Sequence, residues 1–355
     1  MYSEYLASLS FAPTESAILY TAEGKTPETE DPFEKFRFNP DFGEGLDGKK
    51  QPVTFIFRWD TYHPSMTSGK PKIALVELKS KENVRFGQAV FSPRSDNIIY
   101  ATGYEFTSDG RILGLKYCAN RPSGIWQLWL DQQELPELGD KLNSATVITV
   151  TLQKLTPASL SCRSPRIFHR HGGSTLVWLA CPSGGAHFRA SALYCLDISM
   201  VSYNNPYVKT TETLLVPTNN DIPSAPDGFP GLFSSYDLPS SPEIVTGPES
   251  DPVSSIVLHS QWGSRITVLL ISTKDGSVVD LTPANKEKEG LYSWTVLATD
   301  GQSRVLCQRS STSVPYEIYL GYFDDTGFVS WHLIDKPDLP NHSKSFFTSV
   351  VSPIF

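Results

Sequence analysis

Cys118 stands two residues before Asn120 and three before Arg121, within GRILGLKYCANRPSGIWQLWL from Gly110 to Leu130. A thiol in a charged loop becomes a nucleophile when a nearby histidine, held by a third group, takes its proton. No such histidine is identifiable from the sequence. The elements around the thiol read as two strands, Arg111 to Cys118 and Ile125 to Leu130, joined by ANRPSG, whose Asn, Pro and Gly set a turn. At a strand end a free thiol packs as a small hydrophobe, and that role is expected for Cys118.

Other chemistry-bearing patterns are weaker. A serine hydrolase of the α/β type needs its nucleophile in a GxSxG elbow, and no such pentapeptide occurs; Ser183 in CPSGG and Ser264 in WGSR read as turn residues. His169 and His171 form HxH in RSPRIFHRHGG, which on a strand places both rings on one face, but no third metal ligand is evident. Arg163, Arg166 and Arg170 beside them favour a solvated or channel-facing basic strand, suited at most to an anion or peptide carboxylate. Asp324-Asp325 and KEKE at 286–289 read as solvated loops. Trp59, Trp126, Trp129, Trp178, Trp262, Trp294 and Trp331 mostly sit among aliphatic residues, as buried packing residues do. No residue is therefore assigned to catalysis, to a cofactor or to a metal.

Bulk properties bound the class. The 355 residues are 39% hydrophobic and 12% aromatic, with only 19% charged and with 24 Gly and 27 Pro, a balance unlike a helical bundle and suited to an all-β chain with many turns. A net charge of -8 argues against nucleic-acid binding. The first residues, MYSEYLASLSFAPTES, lack a basic region followed by an apolar core, and no apolar run approaches a membrane span of roughly 20 residues, so a soluble protein is expected. Five cysteines without CxxC spacing fit reduced thiols in a cytosol.

Short segments rich in β-branched and aromatic residues recur between turn formers: VTFIFRW from Val53, PKIALVEL from Pro71, DNIIYATGY from Asp96, TVITVTL from Thr146, STLVWLACP from Ser174, SALYCLDI from Ser191, SSIVLHSQW from Ser254, RITVLLIS from Arg265 and YEIYLGYF from Tyr316. Asp-Gly pairs at 109–110, 275–276 and 300–301, with two more at 47–48 and 227–228, predict tight hairpins of type I′. Only SEYLASLS reads as helix, with Ser3 as N-cap. Leu-Thr-Pro follows a strand at 155–157 and again at 281–283, and Ser-Pro precedes one at 92–93 and 164–165. Strand, Leu-Thr, loop, Ser-Pro, strand is the cadence of a β-propeller, and six or seven four-stranded blades of roughly 45 to 50 residues would fill the chain. Nine prolines between Tyr203 and Pro252 suit either a linker or, as favoured here, a blade with long loops in which 214–216 and 231–236 keep strand character.

These strings carry a family resemblance. LGLKYCANRPSGIW, Leu113 to Trp126, resembles the LG-aromatic-C-x-NR-x-S-x-aromatic stretch in the propeller of the acylaminoacyl-peptidases, or acylamino-acid-releasing enzymes, of the prolyl oligopeptidase family of serine peptidases. FGQAVFSPRSDNIIYATGY from Phe86, the blade from Ser164 to Asp197 and the segment from Ser277 to Tyr322 are similar to further blades of that family. The resemblance implies a non-catalytic propeller that limits entry of short N-acylated peptides to an α/β-hydrolase domain, in a cytoplasmic enzyme that is usually oligomeric and needs no cofactor. It divides the chain into a helical extension over 1–15, a propeller over 16–345 and, at SFFTSVVSPIF, the join to the hydrolase domain over 346–355. The family's Ser, Asp and His have no counterpart in these residues, so the chain alone is expected to be inactive. The alternative is an independent propeller serving as a protein-interaction scaffold, against which the absence of GH…WD or double-glycine signatures counts.

Overall fold

The computed structural model describes residues 5–24, 30–33, 36–37, 41–43, 45–46, 48–60, 72–142, 144–170, 173–201, 211–218, 228–248, 252–282 and 292–340. Among these residues regular structure is β, with no α-helix, and the chain divides into two compact units, 1–189 with 196–212 and 190–195 with 213–355. No described helix is long and apolar enough to cross a membrane.

The first unit holds β1 (Leu9–Phe11), β2 (Ala17–Glu23), β3 (Pro52–Trp59), β4 (Ile73–Lys79), β5 (Val84–Ser92), β6 (Ser95–Glu105), β7 (Ser123–Trp129), β8 (Thr146–Thr149), β9 (Thr151–Lys154), β10 (Leu160–Arg170) and β11 (Gly173–Pro182). The first four form an antiparallel meander, and β8 adds to β4 in parallel, Val76 opposite Thr146. A second meander runs β5, β6, β7, β9; β10 and β11 pair with each other, and β10 touches β7 through the single parallel pair Ser161 and Ser123. β3 and β4 alternate buried and half-buried residues, as strands with one wetter face do, whereas eight consecutive residues of β6 and six of β11 are buried, because both faces are covered. Leu19, Ile56, Val76, Ile99, Ala101 and Leu128 lie in the resulting core.

In the second unit, β12 (Ala192–Asp197), which begins there, pairs with β13 (Thr213–Val216), while β14 (Glu243–Thr246), β15 (Val253–Trp262), β16 (Arg265–Ser272) and β17 (Val278–Asp280) form one four-stranded meander. β18 (Ser293–Thr299), β19 (Arg304–Ser310), β20 (Glu317–Phe323) and β21 (Val329–Asp335) form another. Ile244, Val257, Val268, Trp294, Val305 and Cys307 share a core, where the Arg309 guanidinium lies 4.2 Å from the Tyr292 ring centroid and 4.3 Å from that of Tyr319.

The Leu-Thr echo has one physical role in both units. Leu155 and Leu281 donate their N–H groups to Ile125 O and Val268 O, each at 2.8 Å. The next residue reverses the direction: Thr156 Oγ1 and Thr282 Oγ1 accept from Ile125 N and Val268 N, each at 3.0 Å. The threonine hydroxyl thus takes the place of a carbonyl where the outer strand ends, so a buried N–H keeps its partner.

Three expectations are corrected. The helix over 1–15 is not formed in the described part: Tyr5 and Leu6 lie in a turn and Leu9–Phe11 is β1. Ser8 and Ser10, two apart as strand geometry requires, accept from Ala89 N and Phe91 N of β5 at 2.8 and 3.0 Å, and Gly87 lets Leu6 approach so closely that an added Cβ would sit 2.7 Å from its Cα. Ser3 lies outside the described residues.

The strand over Arg111 to Cys118 is likewise absent, and β7 pairs with β6 instead. Leu115 N binds Phe42 O at 3.0 Å, Cys118 N turns back to Leu115 O at 2.9 Å, and Tyr117 takes a φ of 61° with its N–H on Tyr5 Oη at 3.0 Å. Gly43 and Gly114 permit this crossing, since a Cβ on Gly43 would lie 3.2 Å from Gly114 Cα. The apolar alternation of this segment serves a packed connection, not a ladder.

The Asp-Gly turns, finally, are not type I′, because only glycine has positive φ at 110, 276 and 301. The aspartate contributes an acceptor: Asp300 Oδ1 receives the N–H groups of Gln302, Ser303 and Arg304 at 2.8 to 3.0 Å.

Candidate functional site

The connection from β6 to β7 carries Cys118 to the loop that follows β11, and hydrogen bonds join the two segments. Gly184 N donates to Asn120 O at 2.8 Å, Asn120 Nδ2 to Gly185 O at 2.7 Å and Ala119 N to His187 O at 3.4 Å. Gly184 and Gly185, with φ of 80° and 75°, turn the loop back along this connection. Beneath it, Ala119 O accepts from Ser161 Oγ at 2.7 Å and from Cys181 Sγ at 2.9 Å.

This lacing sets His187 Nδ1 3.1 Å from Cys118 Sγ, while Arg121 Nη2 approaches the same sulfur at 3.6 Å and Arg121 Nε is held by Gly114 O at 3.2 Å. Cys118 is 9% exposed and His187 is exposed. The sequence identifies no histidine for this thiol, and the structure sets His187 beside it. The partner lies 69 residues away in the chain. Cys118, Asn120 and Arg121 each have a separate task here: sulfur to imidazole, amide to the opposing loop, and guanidinium to sulfur and backbone.

The node also contains an oxygen in need of a donor. Asn120 is 5% exposed, and its Oδ1 is buried without a hydrogen-bond partner among the described residues. The remaining cysteines differ from Cys118 in their surroundings. Burial pushes the Cys162 thiol up to about 12 and raises those of Cys181, Cys195 and Cys307, as expected when an anion must form in apolar surroundings.

A second polar node lies at two β-bulges. Gln88 in β5 and Ser164 in β10 are buried with φ of 51° and 59°, the left-handed region that side chains avoid. Gln88 Oε1 accepts from Thr102 Oγ1 at 2.8 Å and from Ser164 N at 2.9 Å, so the N–H displaced from the ladder by the bulge is recovered. Its arrangement ties β5, β6 and β10 together.

The other sequence-singled residues are not drawn into one site. His169 is exposed and its Nδ1 meets Ser174 Oγ at 2.8 Å, while His171 lies outside the described residues, as do the side chain of Arg170 and the KEKE segment. Arg163, expected on a solvated or channel-facing basic strand, is 3% exposed at the β10 bulge. Ser183 and Ser264 occupy a bend and a turn. Asp324 uses its carboxylate to receive Thr326 N and Phe328 N, and the Thr326 hydroxyl and these amides hold it below the usual carboxylate range. Trp129, Trp178 and Trp294 are buried, in keeping with packing roles. Among the described residues no three His, Cys, Asp or Glu side chains cluster as metal ligands. Two surface hollows of about 630 and 850 Å³ are lined by neither histidine nor cysteine.

The class these features define is an all-β domain of successive antiparallel meanders. Residues 6–343 match the family model for the N-terminal domain of acylamino-acid-releasing enzyme. The chain belongs to that family. It is 28% identical over 302 residues to an acylamino-acid-releasing enzyme of Arabidopsis thaliana, covering 82% of this chain and 34% of that protein, and 24% identical over 359 residues to the Rattus norvegicus enzyme, covering 93% and 42%. The chain thus spans between about a third and two fifths of the length of these relatives. Among solved structures, prolyl oligopeptidase B from Galerina marginata aligns with a TM-score of 0.43 and 12% identity over 91% of this chain and 33% of that one. Dipeptidyl peptidase 4 from Porphyromonas gingivalis aligns with 0.43 and 9% over 92% and 37%.

Proposed function

We propose that this chain is the non-catalytic β-propeller of an acylamino-acid-releasing enzyme, whose role is to restrict entry to a serine-hydrolase domain so that only short N-acylated peptides reach it. The observation that carries the reading is the family match over 6–343 in a chain that spans only 34% to 42% of the length of its relatives. The successive four-stranded meanders β14 to β17 and β18 to β21, with Leu-Thr closing strands in both units, support a propeller built of such units. On this reading the Ser, His and Asp of hydrolysis belong to the part of the relatives outside the match, and the propeller contributes steric selection and exclusion of water. The enzyme acts in the cytosol, as an oligomer.

The test adds the purified chain to the remaining part of the Arabidopsis thaliana relative and follows two substrates, an N-acetylalanyl chromogenic amide and a long N-acetylated unfolded polypeptide. The reading expects the short amide to be cleaved with or without the chain and cleavage of the polypeptide to be suppressed by it. Equal cleavage of the polypeptide in both cases overturns the gating role.

A further inference from the structure

We propose that Cys118 is a peroxide-reactive thiol whose proton is managed by His187, giving the domain an oxidation site of its own. The contact at 3.1 Å places Nδ1 where it can take the thiol proton, and the Arg121 guanidinium at 3.6 Å faces the sulfur on which negative charge would form. The backbone that carries His187 is laced to the thiol segment, with Gly184 N on Asn120 O, Asn120 Nδ2 on Gly185 O and Ala119 N on His187 O, and Arg121 Nε donates to Gly114 O. His187 is exposed, so a molecule as small as hydrogen peroxide approaches from its side of the loop.

His187 Nδ1 accepts the thiol proton; the thiolate attacks one peroxide oxygen, the S–O bond forms and the O–O bond breaks. The leaving hydroxide takes the proton from the imidazolium and departs as water, so sulfur is oxidised by two electrons to a sulfenic acid and the peroxide is reduced. Two residues along the chain from Cys118, Asn120 also has a buried Oδ1 that no described residue serves. None of the other four cysteines meets a histidine among the described contacts: Cys181 has the Arg163 and Arg189 guanidiniums near it but donates to a carbonyl, and burial raises all four thiols.

The experiment treats the full chain with hydrogen peroxide in the presence of dimedone and maps adducts by peptide mass spectrometry over time. Expected is an adduct at Cys118 before any at Cys162, Cys181, Cys195 or Cys307. His187→Ala and the bulkier His187→Gln are expected to slow that reaction at neutral pH by about a hundredfold, the lower end of what a positioned proton acceptor contributes. Iodoacetamide labelling of Cys118 at neutral pH is expected to be faster in the parent than in either variant. First labelling at another cysteine, or none at Cys118, overturns the proposal from the parent protein alone. A folded variant that reacts as fast as the parent leaves the contact merely structural and also overturns it.

Discussion

Replacing Thr282 with valine exchanges a hydroxyl for a methyl of nearly the same shape, so the packing is kept and the hydrogen bonds of the hydroxyl are removed. The Val268 N–H then faces no acceptor, in a residue that is fully buried. Thr156→Val does the same to the Ile125 N–H in the other unit, where the residue is again fully buried. Leaving a buried donor unmade costs about 1 to 3 kcal/mol, and the middle of that range lowers the melting temperature of a unit of this size by about 4 to 8 °C. Thr267 retains its hydrogen bond to Asp280 when Thr282 is changed, so the loss there is the acceptor of the Val268 amide, the hydroxyl contact with Thr267 at 2.9 Å and the long one to Asp280 Oδ1 at 3.5 Å. Thermal melts of Thr156→Val, Thr282→Val and the two serine variants separate hydroxyl from methyl: serine is expected to cost less than about 1 kcal/mol because its Oγ still accepts. Hydrogen exchange at Ile125 and Val268 should accelerate only in the valine variants. Valine variants that melt with the parent and keep those amides protected would refute the role assigned to Leu-Thr.

Gly276, with φ of 72°, would place a Cβ 2.0 Å from Leu215 O, whereas Gly301, with φ of 69°, has nothing within 4 Å. Gly276→Ala is therefore expected to lose clearly more stability in urea than Gly301→Ala, which should cost about 1 kcal/mol for the left-handed backbone alone. His259 supplies a pH dependence: Val296 N donates to its Nδ1 at 3.3 Å, so the neutral ring offers Nε2–H to Ser235 Oγ at 2.6 Å, and burial holds its pKa below the ordinary 6.5. The unfolded chain then binds this proton more readily, so the stability it confers is present above pH of about 6.5 and falls below it by at most about 1.4 kcal/mol per pH unit. Urea midpoints between pH 7 and 5 should decline less steeply in His259→Gln; parallel declines would contradict the assignment.

The strands were legible where local composition and long-range pairing agree. Segments such as VTFIFRW and RITVLLIS become β3 and β16 because β-branched and aromatic residues suit a pleated, packed surface wherever their partners lie. SEYLASLS misleads because its serines are used by β5, some 80 residues on, and no helical signal reports that. Arg111 to Cys118 misleads for a similar reason, since Phe42 O and Tyr5 Oη capture its amides before a ladder forms. The string Cys118, Asn120, Arg121 was visible as a distinctive pattern, and the glycines at 184 and 185 as a turn. That they meet, and bring His187 to the sulfur, depends on two connections packed together across the fold, which spacing along one chain does not encode.

We propose that this domain serves a hydrolase whose catalytic groups lie outside the matched residues. The most direct test is reaction of the purified 355-residue chain with a fluorophosphonate probe, read by intact mass, alongside release of chromophore from an N-acetylalanyl amide. No serine adduct and no product are expected; stoichiometric labelling of one serine, with turnover of the amide, would overturn the proposal.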